Sequence, residues 1–315
     1  MSAPISNRYD FVYFFDVQNG NPNGDPDAGN MPRIDAETGR GFVTDVCLKR
    51  KIRDYVEAVY EDEKGFALYI REGTILGQTC QEALDSLGKS RGREFQSNNP
   101  EMVREAVDKG VLTEDDVIRF MCEEYYDVRT FGAVMTEFTK KEGKNLKYGL
   151  RHCGQVRGPV QLTFAQSIDP IDCQGVALTR VCKANDERAE QAGGSEFGNK
   201  WIVPYALYRC EGFVSANLAR KTTGFSEDDL EVLWDALANM FDFDRSAARG
   251  LMSPRALVVF KHDSELGNAP AHKLLEAVSV TRKEGVPVPR SFADYGEVVV
   301  DRAQVPEGVE VIRKF

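Results

Sequence analysis

At 315 residues the chain can bury a substantial core, either as one large domain carrying insertions or as two smaller ones. Hydrophobic residues make up 42% and charged residues 29%; no apolar run is long enough to span a bilayer, and Met1 to Asp10 lacks the basic flank and apolar block of a signal peptide. These features exclude membrane insertion and point to the cytoplasm, while a net charge of -10 argues against a simple nucleic-acid binder, which needs clustered Lys and Arg to neutralise phosphates.

From the N-terminus, Tyr9 to Val17 (YDFVYFFDV) is rich in aromatic and β-branched residues and reads as a central strand. Gln18 to Gly41 is broken by Pro22, Pro26, Pro32 and repeated Asn-Gly and Asp-Pro steps, which makes a long loop with no regular element. Thr44 then caps a helix whose Leu48, Ile52, Tyr55 and Val59 form a core stripe, with Lys49, Arg50 and Arg53 on another face. Phe66 to Ile70 reads as the next strand. Leu76 to Asp127 holds polar helical patterns, one capped by Thr113, and reads as an insertion.

Strand patterns resume at Val128 to Met135, Pro159 to Ile168 and Ile202 to Val214, interrupted by a polar, glycine-bearing Lys183 to Lys200 that reads as a protruding loop. A capped helix, Ser226 to Phe241, carries Leu230, Leu233, Trp234 and Leu237 on one face, and Arg255 to Lys261 is a further strand. This order predicts an α+β fold with a ferredoxin-like, RRM-like sheet enlarged by insertions. The expected division is a discontinuous palm of residues 1–75 and 128–315, with a helical insertion at 76–127 and the protruding loop at 183–200.

Charge is unevenly distributed. Val128 to Arg157 holds seven basic residues against two acidic ones, whereas Glu101 to Asp127 holds nine acidic against three basic. Opposed patches permit a basic groove on an acidic protein and suit copies that dock head to tail. The seven cysteines are scattered, with no CxxC pair and no His at zinc spacing, so they read as reduced thiols and no metal site is expected.

The Asn-rich loop is the sharpest local signal. Counted as a calcium loop from Asn19, it places Asn21, Asn23 and Gly24 at positions three, five and six, but Asn30 falls where a bidentate Glu is needed and no helix precedes it. Its amides could instead satisfy the loop's own backbone, or donate to phosphate and accept from ribose hydroxyls. Lys49, Arg50 and Arg53, near a helix N-terminus, favour phosphate. No nucleophile elbow, Walker loop, zincin helix or Rossmann fingerprint is present, and three histidines offer little material for acid-base chemistry. Asp25, Asp27 and Asp35 could hold Mg²⁺ if folded together, which keeps a nuclease as the minority reading.

The run Asn19 to Val56 (NGNPNGDPDAGNMPRIDAETGRGFVTDVCLKRKIRDYV) closely resembles the N-terminal signature of the backbone subunit of type I CRISPR Cascade complexes, of the I-C (Dvulg) subtype. DVRTFGAVM (Asp127 to Met135), GQVRGPVQLTFAQSIDP (Gly154 to Pro170) and FDRSAARG (Phe243 to Gly250) extend the resemblance over both halves of the chain. It implies a RAMP-superfamily protein with an RRM-like palm, fingers and a thumb, non-catalytic and without a cofactor, polymerising head to tail on a guide RNA that pairs with target DNA. Other Cascade subunits, handle-binding and large, would be its partners.

By that resemblance Asn19, Asn21, Asn23, Arg33, Arg40, Lys49, Arg50 and Arg53 contact the guide, joined by Arg129, Phe131 and Arg157 from the other motifs. Lys183, Arg188, Phe197 and Lys200 would belong to the thumb. Backbone subunits of type III complexes cleave target RNA with a first-loop aspartate, for which Asp35 is the nearest counterpart here.

Overall fold

A computed structural model describes residues 2–90, 92, 95–180 and 196–315. Its main elements are β1 (Tyr9–Gly20), β2 (Arg40–Val43), α1 (Asp45–Tyr60), α2 (Leu76–Ser90), α3 (Pro100–Asp108), α4 (Glu114–Glu124), α5 (Tyr126–Phe131), β3 (Gly132–Val134), β4 (Gln155–Arg157), β5 (Val160–Leu162), β6 (Ala165–Pro170), β7 (Gln174–Arg180), β8 (Glu196–Val214), α6 (Glu227–Phe243), β9 (Leu251–His262), α7 (Ala271–Glu276) and β10 (Val309–Arg313).

The principal sheet runs β10-β9-β1-β8-β6-β2, with every pair antiparallel, while β7 and β5 join opposite ends of β8. Because α1 follows β1 and α6 links β8 to β9, the four inner strands reproduce the split β-α-β layout of a ferredoxin-like fold. The expected fold class is therefore what the chain adopts.

β1 is buried on both faces, and between Asp10 and Asp16 it is apolar throughout, because both faces are covered. Tyr9, Phe11, Tyr13, Phe15 and Val17 meet α1 and α6 in the first core, where Leu48, Ile52, Tyr55 and Val56 face Leu230, Leu233, Trp234 and Leu237. Val12 and Phe14 point the other way, into a core closed by Leu274, Leu275, Val278, Tyr295 and Val298. A separate core holds α2 to α4 together and draws on residues from Tyr69 to Val156, wider than the 76–127 span expected for the insertion.

Several local expectations hold. Thr44 caps α1 by accepting from the Cys47 amide at 3.3 Å, and Thr113 and Ser226 each close a capping box, on α4 and α6. Others need correction. Val59 is exposed and Val56 takes its place in the α1 stripe. Phe66 to Ile70 forms no strand; Ala67 makes a single bridge to Tyr125. Val128 to Met135 divides into the end of α5 and β3, because α5 is buried along its whole length and Gly132 leaves it at φ +79°. The Gln18 to Gly41 loop contains a two-residue ladder, Gly24–Asp25 with Met31–Pro32. Of the expected thumb, Lys183 and Arg188 lie outside the described residues, as does the Phe197 side chain, and Lys200 pairs with Val176 in the β7–β8 hairpin.

Candidate nucleic-acid interface

The four motifs meet in two joints beside α1. In the first, the Asn-rich loop docks on the segment after α6. Gly20 passes so close to Arg249 that a Cβ would sit 1.9 Å from its carbonyl oxygen, so only glycine fits. The Asn21 amide donates to the Ala248 carbonyl at 2.8 Å, and the Arg249 guanidinium donates to the carbonyls of Asn21 and Pro22, both at 3.4 Å. Asp244 pairs with Arg249 at 3.3 Å and also with Lys51, a buried side chain of α1. The far side of the loop is tied to the α1 cap, since Asn23 Oδ1 accepts from the Thr44 amide at 3.0 Å and its hydroxyl at 3.1 Å.

The second joint joins α5, β4 and α1. A Cβ on Gly158 would lie 2.2 Å from the Gly132 nitrogen, and one on Gly132 would lie 2.3 Å from the Val156 carbonyl oxygen. Lys49 reaches Asp45 at 3.0 Å and Gln161 at 3.3 Å, with its ammonium 5.6 Å from the Phe131 ring centroid. Arg53 pairs with Asp127 at 2.8 Å and lies over the same ring at 5.3 Å. Asp127 in turn accepts from the amides of Tyr69 and Ile70, so α1 is clamped to the insertion.

The geometry places two of the expected RNA contacts in the interior. Arg129 is buried, donates to Asp229 through two nitrogens at 2.8 and 3.0 Å, and caps the carbonyls of Gly65 and Cys122. Phe131 is buried beneath Lys49 and Arg53. Both build the frame, and each is almost wholly buried.

The remaining residues divide by exposure. Asn21 is buried, with its amide nitrogen donating to the Asn30 carbonyl at 2.7 Å, and Asn23 is engaged by Thr44, so these two shape the loop. A calcium loop would need the Asn23 oxygen that Thr44 occupies. Arg33 is half-buried 3.5 Å from Asp25. Asn19 is exposed at φ +50°, and Arg50 is exposed between Asp54 and Glu72. Arg40 and Arg157 are exposed and pair with no carboxylate among the described residues.

Asp35 is turned back on its own loop. Its carboxylate accepts from the Thr38 hydroxyl at 2.7 Å and the Glu37 amide at 3.0 Å, and these bonds, the Thr38 one foremost, hold its pKa below the usual aspartate range. Asp244 and Arg249 build the first joint, a part to which the sequence alone assigned neither. Their signal was the motif that contains them, but their partners outside it, Asn21, Pro22 and Lys51, lie in the N-terminal quarter of the chain.

The ferredoxin-like sheet with its helical insertion and clamped loop defines a mixed α/β protein. The chain belongs to the family of CRISPR-associated protein Cas7, whose model matches residues 7–301. A CRISPR-associated protein Cas7 from Haloferax volcanii is 26% identical over 96% of this chain and 83% of its own length. Among solved structures, a chain of a pre-nicking CRISPR RNA-guided surveillance complex is 15% identical with a TM-score of 0.45, over 80% of this chain and 78% of that one. A chain of a type III-B Cmr-beta complex bound to cognate target RNA is 10% identical with a TM-score of 0.40, over 80% and 61%.

Proposed function

We propose that the protein is a non-catalytic guide-RNA-binding backbone subunit of a type I-C Cascade complex, polymerising head to tail along the guide and presenting it for pairing with target DNA. The observation that carries this reading is the double clamp. Two joints built from all four motifs fix the Asn-rich loop and the first turns of α1, while leaving Asn19, Arg40, Arg50 and Arg157 exposed around them. A rigid backbone surface with outward cations suits phosphates and 2′-hydroxyls, which carry no sequence information and leave the bases free to pair.

In this reading residues 1–75 and 128–315 form the palm, 76–127 the fingers and 183–200 the thumb, with handle-binding and large subunits as further partners. Purified protein is expected to form long oligomers on RNA of arbitrary sequence, with affinity falling steeply as salt rises. A chain that stays monomeric and binds no RNA at low salt would sink the proposal. The Asp35 turn supports the non-catalytic part: complementary RNA should survive incubation with protein, guide and Mg²⁺, and cleavage abolished by Asp35→Ala would instead establish a nuclease.

A further inference from the structure

The sheet face opposite α1 and α6 is covered only in part. α7 and the segment carrying Val278, Tyr295 and Val298 seal it over β9, β1 and the adjoining stretch of β8. The cover stops at Arg209, whose guanidinium donates to the carbonyls of Leu275 at 2.6 Å and Val278 at 2.7 Å. Beyond that rim the cover touches only the far end of β6, where Ile168 packs against it and Asp169 accepts from the Tyr295 hydroxyl at 2.7 Å, and it leaves Gln166 of β6 and Arg40 of β2 exposed. Val43 and Ala165 pair across these strands and are buried toward the helices, so alternation turns Phe42 and Gln166 to the open side, with Phe164 against Phe42.

This strip has a definite chemistry. Phe164 is 53% exposed, and its ring is within 4° of parallel to that of Phe42 with centroids 6.1 Å apart. Arg40 and Gln166 are exposed beside them, in a pocket of about 350 Å³. Arg209 is matched by Glu211 at 3.2 Å, which leaves Arg40 as the one unbalanced charge in the lining.

We propose that this strip binds an unpaired nucleobase of a single-stranded nucleic acid. The base stacks on Phe164 with Phe42 behind it, Gln166 meets the base edge, and Arg40 takes the adjoining phosphate. A flat aromatic surface with one cation at its border matches the two faces that a nucleotide presents, stacking being indifferent to base identity. An apolar protein side chain would leave Arg40 and Gln166 without partners. The inference rests on the RNA-binding reading above, and it adds a contact to bases where that reading supplies contacts to backbone only.

The test compares two single-stranded RNAs of equal length, one natural and one built of abasic riboses with every phosphate retained, bound to the full chain and to Phe164→Leu and Phe42→Leu/Phe164→Leu variants. Leucine keeps apolar bulk at both sites, and far-UV circular dichroism with a melting curve checks the fold. The double variant is expected to bind natural RNA about ten-fold more weakly and abasic RNA as the wild type does. Equal losses on both RNAs, or none on either, overturn the inference while leaving backbone binding intact. Wild-type protein that binds neither RNA overturns the RNA-binding reading itself. A change in the oligomeric state of RNA-free protein on substitution at Phe164 assigns the strip to a protein partner and overturns the proposal.

Discussion

Arg129 and Asp229 stand one hundred residues apart in the chain and close a two-point ion pair with both side chains buried. Asp229 also accepts from the amide and hydroxyl of Ser226, so one carboxylate caps α6 and neutralises α5. Removing one partner strands the other charge in the core, which costs about 3–5 kcal/mol. Arg129→Met is therefore expected to lower stability by that order in urea unfolding. RNA affinity per folded molecule should stay unchanged, and a selective loss of affinity would return Arg129 to the interface.

Gly158→Ala tests the second joint. The added carbon would press on the Gly132 nitrogen and on the Phe131 carbonyl carbon, both backbone atoms that no rotamer change can move. A cost of about 1–3 kcal/mol in thermal unfolding is expected, of the size of other enforced backbone strain. A melting temperature equal to wild type would show that β4 and α5 separate readily.

The exposed and the engaged cations should behave differently. Arg40→Ala with Arg157→Ala is expected to weaken RNA of every sequence alike and to flatten the salt dependence, by roughly one unit of slope for each phosphate no longer neutralised. Lys49→Ala with Arg53→Ala should instead act first on stability, since both side chains bridge α1 to the second joint. Fluorescence anisotropy over a salt series, read beside melting curves, separates the two. Full retention of affinity in the Arg40/Arg157 variant would place the phosphate track elsewhere.

Burial pushes the thiols of Cys80, Cys122, Cys153 and Cys210 up to about 12, so none is a nucleophile at a pH of about 8. Native alkylation with iodoacetamide should spare all four and label them only after denaturant is added. Cys47 is half-buried with its sulfur 3.6 Å from the Pro22 carbonyl, and bound RNA is expected to slow its labelling. Peptide mass spectrometry reads each site, and rapid native labelling of Cys153 or Cys210 would mean that the cores open far more often than their packing suggests.

What could be read from sequence was what is locally determined. The capped helices α1 and α6 and the strands β1 and β9 follow from period, cap and composition within a few residues. Val128 to Met135 misled because its β-branched and aromatic content suits a strand, while its conformation is set by Arg129, whose partner lies in another element. The cover over the second sheet face was illegible for a similar reason. Leu274 sits in the short helix α7, and Val278, Tyr295 and Val298 follow in a largely irregular stretch with too little helical or strand period to announce a buried surface. At the candidate interface a sequence does not distinguish an arginine facing solvent, such as Arg157, from one folded inward, such as Arg129.

The order of synthesis gives the doubly covered first strand a further consequence. β1 leaves the ribosome before all its partners: Tyr13 waits for Cys210 on one edge and Leu257 on the other, and Val12 and Phe14 wait for Leu274 to Val298 to close over them. Until then the nascent chain holds an apolar ribbon open on two edges and two faces. Such long-range closure makes folding slow and the half-made protein prone to stick to its neighbours. A chain stopped before Val298 should gather in aggregates, or on a chaperone, in proportion to how much of that ribbon is left bare.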